Sequence, residues 1–219
     1  MDDRPFAQPD FDREARWGLP EVVLGIGKTD EQIAEIVGRL QDANSGPVLV
    51  TKTTRSAYDA VLAVAPEAEF FEGARLIRLP RPPIVSAGTI GVLAAGTADL
   101  PVAEEAALTA EAAGASVERI YDVGVAGLHR LLDRMDRIRL CEALVVVAGL
   151  EGALPTVVGG LTGLPIVAVP TSVGYGTSLG GIAALLGMLN SCTPQVVAVN
   201  IDNGFGAGFF AALITRKLA

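Results

Sequence analysis

Residues 143–170 have the sequence ALVVVAGLEGALPTVVGGLTGLPIVAVP, and this stretch decides the fold. Two Val-rich runs, Ala143–Val147 and Ile166–Val169, flank a segment of helical length, Leu154–Leu161. A strand that is apolar at nearly every position is typical of a parallel sheet covered on both faces, because both of its sides are buried. The stretch therefore predicts a strand–helix–strand unit of an open α/β sheet.

The same alternation extends in both directions from this unit. Before it, we predict strands at 90–95 and 116–121 and helices at 101–113 and 125–135. After it, we predict a helix at 178–189, a strand at 196–200 and a closing helix from about 206 to 218. Residues 86–219 are therefore expected to form an open parallel sheet with helices on both faces. Ligands bind such sheets beyond the carboxyl ends of the strands.

Residues 1–85 are predicted to form a smaller α/β domain that begins with an irregular, charged arm of about twenty residues. Thr29 and Gln32 have the spacing of a capping box at the start of an amphipathic helix. A strand at 48–50, a helix at 56–64 and an alternating strand at 74–79 follow. The segment Pro80-Arg81-Pro82-Pro83 continues neither kind of element, so we place the domain boundary after it.

Charge and cysteine content narrow the classes of partner. The net charge is −8 and Lys and Arg form no long run, which disfavours nucleic acid. No charged side chain occurs from Gly152 to Ile201, but prolines and glycines divide this run, so we expect no membrane span. A segment with so few charged side chains is expected to be hidden against copies of the same chain, which indicates a homo-oligomer. Two cysteines make no disulfide framework and Met1–Arg4 lacks a secretory pattern, so we expect a cytoplasmic protein.

Cys192 is the residue with the clearest chemical potential. It lies in Asn190-Ser191-Cys192-Thr193-Pro194, a predicted turn before the last strand, whereas Cys141 precedes a buried strand and is expected in the core. The one histidine, His129, falls on a predicted helix surface. No Cys-x-x-Cys or His-x-x-x-His pair is present, so we predict no resident metal; Mg²⁺ would arrive with substrate phosphates.

Polar residues follow two of the predicted strands. In Gly96-Thr97-Ala98-Asp99, Thr97 and Asp99 are suited to ribose hydroxyls, although Asp99 is equally suited to cap the next helix. Glu151 is a lone carboxylate at a strand end next to an uncharged segment. Apolar surroundings would make it a better proton acceptor, and a solvent-facing helix cap is the alternative.

Two glycine-rich turns follow the last strands. The segment 170–178, PTSVGYGTS, has the general form of a phosphate or carboxylate cradle, or serves only to pack its helix tightly against the sheet. Asp202, Asn203 and Gly204 begin the closing helix and would bind a ligand or cap that helix. From these loops we expect substrate contacts from Thr97, Asp99, Ser172, Gly174, Tyr175, Asp202, Asn203 and Gly204.

Residues 90–219 resemble the class I aminoimidazole ribonucleotide carboxylases and mutases, which are flavodoxin-like. Gly96-Thr97-Ala98-Asp99 stands where that family has a Gly-Ser-x-Ser-Asp loop. Where that family carries Ser-Ala-His-Arg-Thr-Pro, residues 121–127 of this chain have the sequence YDVGVAG. The imidazole that handles protons in that reaction is therefore absent from this stretch.

Nearly the whole chain is similar to the LarB family, the pyridinium-3,5-biscarboxylic acid mononucleotide synthases of nickel-pincer nucleotide cofactor biosynthesis. The most specific stretches are 169–176 (VPTSVGYG), 186–192 (LGMLNSC) and 200–208 (NIDNGFGAG). The resemblance implies carboxylation of the pyridinium ring of nicotinic acid adenine dinucleotide, hydrolysis of its phosphoanhydride to release AMP, and an octamer. It implies Glu151 as the essential glutamate, and the chemistry makes Cys192 the nucleophile. CO₂ or bicarbonate would be the co-substrate, with no tightly bound cofactor.

Three other functions remain open from the sequence. An aminoimidazole ribonucleotide carboxylase or mutase would be indifferent to Cys192→Ser. A non-catalytic dinucleotide sensor would bind its ligand without forming a sulfur adduct. A plain cysteine hydrolase normally needs a base such as histidine beside the thiol, and His129 is badly placed for that role. In the first domain, Lys28, Lys52 and Arg55 are candidates for holding the far end of a dinucleotide.

Overall fold

The computed structural model describes residues 6–216. These residues form two compact units, divided between Ile84 and Val85. The first unit contains α1 (Arg13–Trp17), β1 (Val23–Leu24), α2 (Asp30–Ala43), β2 (Val48–Thr51), α3 (Arg55–Val61), β3 (Glu69–Phe71) and β4 (Leu76–Leu79). The second contains β5 (Thr89–Ala94), α4 (Leu100–Ala112), β6 (Ser116–Ile120), α5 (Leu128–Leu132), α6 (Met135–Ile138), β7 (Ala143–Ala148), α7 (Leu154–Leu161), β8 (Ile166–Pro170), α8 (Ile182–Leu189), β9 (Val196–Ala198) and α9 (Gly204–Ile214).

The first unit is a small sheet with strand order β1-β2-β4-β3, in which β1 and β2 are parallel and the other pairs are antiparallel. The capping box is confirmed, since the Thr29 hydroxyl accepts from the Gln32 N–H at 3.3 Å and the Gln32 side chain accepts from the Thr29 N–H at 3.0 Å. The apolar face of α2 is buried against the sheet.

Three details of the first unit differ from the sequence prediction. Residues 13–17 of the arm are helical, and the start of the arm before Phe6 lies outside the described residues. The strand β3 was not predicted. The predicted strand at 74–79 begins at Leu76, because residues 72–74 form a 3₁₀ turn that ends in a left-handed Arg75 with φ 49°.

The second unit has the predicted open parallel sheet, with strand order β6-β5-β7-β8-β9. Every residue of β7 and β8 is buried. Successive residues of these strands enter two separate cores, one shared with α4 and α9 and the other with α5, α6, α7 and α8. Helices therefore cover both faces, which is why these strands carry apolar residues at every position.

Local backbone geometry shortens several predicted helices. The predicted helix at 178–189 begins at Ile182, because residues 176–181 form a 3₁₀ turn in which Leu179 is left-handed with φ 48°. The predicted helix at 125–135 is divided into a 3₁₀ turn, α5 and α6. The last helix, predicted from about 206 to 218, begins at Gly204, where Asn203 caps it, and ends at Ile214 rather than near Leu218. Within residues 6–216, no helix has the length and apolar character that a membrane crossing requires.

Candidate functional site

Backbone hydrogen bonds connect the loops at the carboxyl edge of the large sheet to one another and to the ends of neighbouring strands. The N–H of Ala95 donates to Val147 at 3.0 Å, and the N–H of Leu150 donates to Val173 at 2.9 Å. The N–H of Asp202 donates to Pro170 at 2.9 Å. The four loops after β5, β7, β8 and β9 therefore form one connected surface, at the edge where open α/β sheets bind ligands.

A cavity of about 390 Å³ opens at this edge. Its walls come from the loops after β5, β6 and β7 and from Val173 after β8. Its charged side chains are Asp99, Asp122, Arg130 and Glu151. The structure thus brings together three of the predicted residues, Thr97, Asp99 and Glu151, and adds two that the sequence prediction missed.

Asp99 is the most buried of these carboxylates, with 4% of its surface exposed. Its side chain makes no capping bond to α4. Instead it accepts a hydrogen bond from the Thr171 hydroxyl at 2.7 Å and another from the Gly96 N–H at 3.0 Å. Burial raises the pKa of the Asp99 carboxyl, the hydrogen bonds from Thr171, Gly96 and Gly149 oppose the rise, and the charge of Asp202 adds to it.

Arg130 and Asp122 form an ion pair on the cavity wall, with Arg130 Nη1 2.5 Å from Asp122 Oδ2. Asp122 is left-handed, with φ 58°. Both side chains remain partly exposed, so an anionic ligand can compete with Asp122 for the guanidinium. One signal was available in the sequence: Arg130 and Asp122 follow β6, whose carboxyl end lies at the same edge of the sheet.

Glu151 follows β7 and is exposed. The helix α8 runs close behind it, because a Cβ atom added at Gly187 would lie 2.6 Å from the Glu151 carbonyl oxygen. A side chain at that position would force the helix away from the loop. Gly187 therefore sets how closely α8 approaches the backbone of the proposed base.

Cys192 lies five residues beyond Gly187, in the turn that follows α8. Its thiol group belongs to an exposed residue. The turn is anchored on α7 by a 2.8 Å hydrogen bond between the Ser191 and Thr156 hydroxyls. Cys192 is exposed and is not among the described residues that line the cavity, so the structure does not bring it into the same pocket as Glu151.

The predicted glycine-rich cradle after β8 is held at one point by a hydrogen bond to the loop after β9. The Ser172 N–H donates to Asp202 Oδ1 at 2.8 Å, which places these two predicted residues together. Gly174 lies over Ser178, since a Cβ atom there would be 2.3 Å from the Ser178 hydroxyl. Tyr175 projects into solvent, with 87% of its surface exposed.

The remaining candidates are used for packing or capping. The side chain of Asn203 accepts from the Gly206 N–H at 2.8 Å and so caps α9. Gly204 is buried against α4, where a Cβ atom would lie 2.4 Å from the Val102 carbonyl oxygen. His129 is exposed on α5, and Cys141 is buried in the core, where burial raises the pKa of its thiol to about 11. Across residues 6–216, no group of three or more His, Cys, Asp and Glu side chains is arranged to hold a metal ion.

Comparison with known proteins identifies the two units. Residues 1–81 match the LarB/PurE-like N-terminal domain, and residues 89–217 match AIR carboxylase. The chain belongs to the AIR carboxylase family, with a LarB/PurE-like N-terminal domain. These domains make it a carboxylase-type enzyme of the LarB/PurE-like kind.

Similar proteins match either nearly all of this chain or a little more than half of it. An uncharacterized protein of Methanocaldococcus jannaschii is 40% identical over 223 residues, which cover 94% of this chain and 83% of the relative. The N5-carboxyaminoimidazole ribonucleotide mutase of Pyrococcus horikoshii is 31% identical, covering 57% of this chain and 71% of the mutase. The mutase of M. jannaschii is also 31% identical, covering 56% and 75%.

Proposed function

We propose that this protein carboxylates the pyridinium ring of nicotinic acid adenine dinucleotide and hydrolyses the phosphoanhydride. The products are AMP and pyridinium-3,5-biscarboxylic acid mononucleotide, used in nickel-pincer cofactor synthesis. One observation carries the proposal: an exposed thiol follows the helix that packs against Glu151, while the cavity wall from the loop after β6 has no histidine. A sulfur nucleophile replaces the imidazole chemistry of a purine carboxylase.

The first step is addition of the Cys192 thiolate to the pyridinium ring. The ring is electron-poor para to its nitrogen, so the sulfur forms a C–S bond there, and the electron pair of a ring bond moves to the nitrogen. The product is a neutral dihydropyridine. Its neighbouring carbon is an enamine carbon and has become nucleophilic.

That carbon attacks CO₂ and forms the new C–C bond. Glu151 then removes the proton from the same carbon, the ring regains aromaticity, and the C–S bond breaks to release the thiolate. Glu151 suits the role of base because it lines the cavity. The helix α8 packs against the backbone of Glu151 and leads into the turn that contains Cys192. Apolar walls from Ala95, Leu154 and Val173 exclude water from the intermediate.

The phosphoanhydride step requires anion binding and an attacking water. Arg130 is the only cation among the described cavity-lining residues, so we assign it to a phosphate, released from Asp122 as the substrate enters. Thr97 and Asp99 would contact ribose, and Ser172 and Asp202 would lie beside the second phosphate. Any Mg²⁺ would enter bound to these phosphates.

We further propose that the active form is a homo-oligomer, an octamer by resemblance. The helix α8 and the 3₁₀ turn before it expose apolar side chains ahead of the Cys192 turn: Leu179 at 70%, Ile182 at 41%, Leu186 at 54% and Leu189 at 62%. A face of this kind is typical of surfaces buried between subunits. The thiol would then be shielded from bulk water in the assembly, although it is exposed in one chain.

The experiment that tests the proposed function is incubation of the purified protein with nicotinic acid adenine dinucleotide, bicarbonate and Mg²⁺, followed by mass analysis. We expect AMP and a dicarboxylated mononucleotide. A parallel incubation with aminoimidazole ribonucleotide tests the mutase-like alternative, which the 31% identity to two mutases favours. Turnover of that nucleotide, together with absence of both dinucleotide products, would replace the proposal.

A further inference from the structure

The first unit also gathers polar residues at one edge of its sheet. β1 and β2 are parallel, so the loops that follow them, 25–28 and 52–55, lie at the same edge. β4 runs antiparallel to β2, which brings the turn before it, 72–75, to that edge as well. Two backbone hydrogen bonds hold these loops: the Gly25 N–H donates to Thr51, the last residue of β2, at 2.8 Å, and the Thr53 N–H donates to Arg75 at 2.9 Å.

These three loops are basic in an acidic chain. They contain Lys28, Lys52, Arg55 and Arg75 and a single carboxylate, Glu72, whereas the whole chain has a net charge of −8. Carboxylates also lie near the edge, at Asp30 and Glu31 in the first turn of α2 and at Asp59, whose Oδ1 is 3.5 Å from Arg55 Nε. Cations still outnumber carboxylates in the loops themselves.

Two of the cations have no acidic partner among residues 6–216. The Lys28 ammonium donates to the carbonyl oxygen of Leu24 at 2.9 Å, and the described residues offer no ion pair to Lys28 or to Arg75. In contrast, other arginines of this unit are engaged: Arg13 and Arg16 contact Asp10, and Arg78 contacts Glu69. The Lys28 loop follows β1 and the Arg75 turn precedes β4, and these two strands lie on either side of β2. Two strand spacings of about 4.8 Å separate them, a span that long side chains can bridge around one phosphate.

A buried hydroxyl points to the same place independently of charge. Thr53 is only 3% exposed, and its Oγ1 atom has no hydrogen-bond partner among the described residues. The Thr53 side chain lies against the loop 25–28, because a Cβ atom at Gly25 would be 3.0 Å from Thr53 Cβ and 2.9 Å from the Lys52 carbonyl oxygen. Buried hydroxyls are normally paired, so a donor without a partner between two basic loops indicates a ligand acceptor.

We propose that this edge of the first unit binds the phosphate group of a nucleotide. Lys28 and Arg75 supply the charge, Arg55 adds a bidentate donor, and Thr53 donates its hydroxyl to a phosphate oxygen once the loop 25–28 opens around it. The residues of this site are different from those that line the cavity with Arg130 and Glu151. The choice of an adenosine nucleotide rests on the proposed function, because AMP is the fragment that the proposed reaction releases.

The test is calorimetric titration of the full-length protein with AMP, inorganic phosphate and pyrophosphate. We expect Lys28→Ala/Arg75→Ala to weaken AMP binding at this site at least tenfold. The matched control is Arg13→Ala/Arg16→Ala, which removes two charges from the same unit and should change the affinity less than twofold. The variant Arg130→Ala should retain the site, since it alters only the cavity. Thermal unfolding of each variant verifies that it is folded.

Hydrogen exchange locates the binding. Saturating AMP should protect the amides of 25–28 and 52–55, and the double variant should lose that protection. If all three ligands bind with equal affinity, only the phosphate is recognised; tighter AMP binding shows that the nucleoside is also held. Unchanged AMP affinity in Lys28→Ala/Arg75→Ala, or protection confined to 96–99 and 149–152, would overturn the proposal. Turnover of nicotinic acid adenine dinucleotide would be measured separately, so that failure of one proposal leaves the other standing.

Discussion

The two sheets of this protein carry their polar groups at equivalent edges but with opposite charge. At the large sheet, three carboxylates and one arginine line a cavity, and one carboxylate is almost wholly buried. At the small sheet, four cations and one carboxylate occupy open loops. Carboxylates beside a cavity suit proton transfer and contacts with sugar hydroxyls, whereas exposed cations suit phosphate. The same strand geometry therefore supports chemistry at one edge and anion binding at the other.

The largest expected contrast concerns the glutamates at the two edges. Glu151→Gln removes the proposed base, and general-base catalysis is worth about 10²- to 10⁴-fold, so kcat should fall by that factor. Glu72→Gln makes the same chemical change at the small sheet and should leave kcat unchanged. Steady-state kinetics with nicotinic acid adenine dinucleotide checks both. Equal effects of the two variants would remove Glu151 from the mechanism.

A second contrast concerns how closely the loops pack around a glycine at each of the two sheet edges. A Cβ atom at Gly149 would lie 2.4 Å from the Val173 carbonyl oxygen and 2.7 Å from the Thr171 hydroxyl, both parts of the site. Gly149→Ala should therefore cost about 1–3 kcal/mol of unfolding free energy and impair activity.

Gly25→Ala is the matched change at the small sheet. Its Cβ atom would lie 2.9 Å from the nearest backbone oxygen, so the cost should be lower, about 1 kcal/mol. Chemical denaturation measures both variants. A larger loss for Gly25→Ala than for Gly149→Ala would contradict the closer packing of the large-sheet loops.

The smallest expected effect is the pH dependence that Asp99 gives to stability. Burial raises the pKa of the Asp99 carboxyl above its ordinary value of 3.8. The folded protein then binds this proton more tightly than the unfolded chain does. The resulting stabilisation is fully present below 3.8 and is lost as the pH rises through the folded pKa.

The variant Asp99→Asn lacks this dependence. The unfolding free energy of the wild type relative to Asp99→Asn should therefore decline as the pH rises above about 4 and through the raised pKa of Asp99. Urea denaturation at several pH values measures the decline. A relative stability that rises over this range would show that hydrogen bonding from Thr171 and Gly96 outweighs burial.

The sequence predicted those parts of the molecule whose residues are decided by local pattern. The helix at 154–161 has the bounds that were predicted, because its ends are marked by Gly152 and Gly163 and by the Val-rich strands. The parallel sheet followed from the same apolar strands. The capping box at Thr29 was likewise a local signal.

What the sequence did not predict depends on contacts between distant segments. The left-handed turn at Leu179 has no local signature, since a leucine disfavours positive φ. Arg130 became a candidate only when the loop after β6 was seen beside Asp122 on the cavity wall. The close packing of α8 against the Glu151 backbone at Gly187 is also a contact between distant segments, which a single sequence does not reveal.

The most direct test of the central claim is intact mass spectrometry of the protein after mixing with nicotinic acid adenine dinucleotide. A reversible mass increase of one dinucleotide should occur in the wild type and in Cys141→Ala, whose thiol is buried. It should be absent from Cys192→Ser, which should also form no dicarboxylated product. An adduct that persists in Cys192→Ser, or product formed by that variant at the wild-type rate, would contradict covalent catalysis by Cys192.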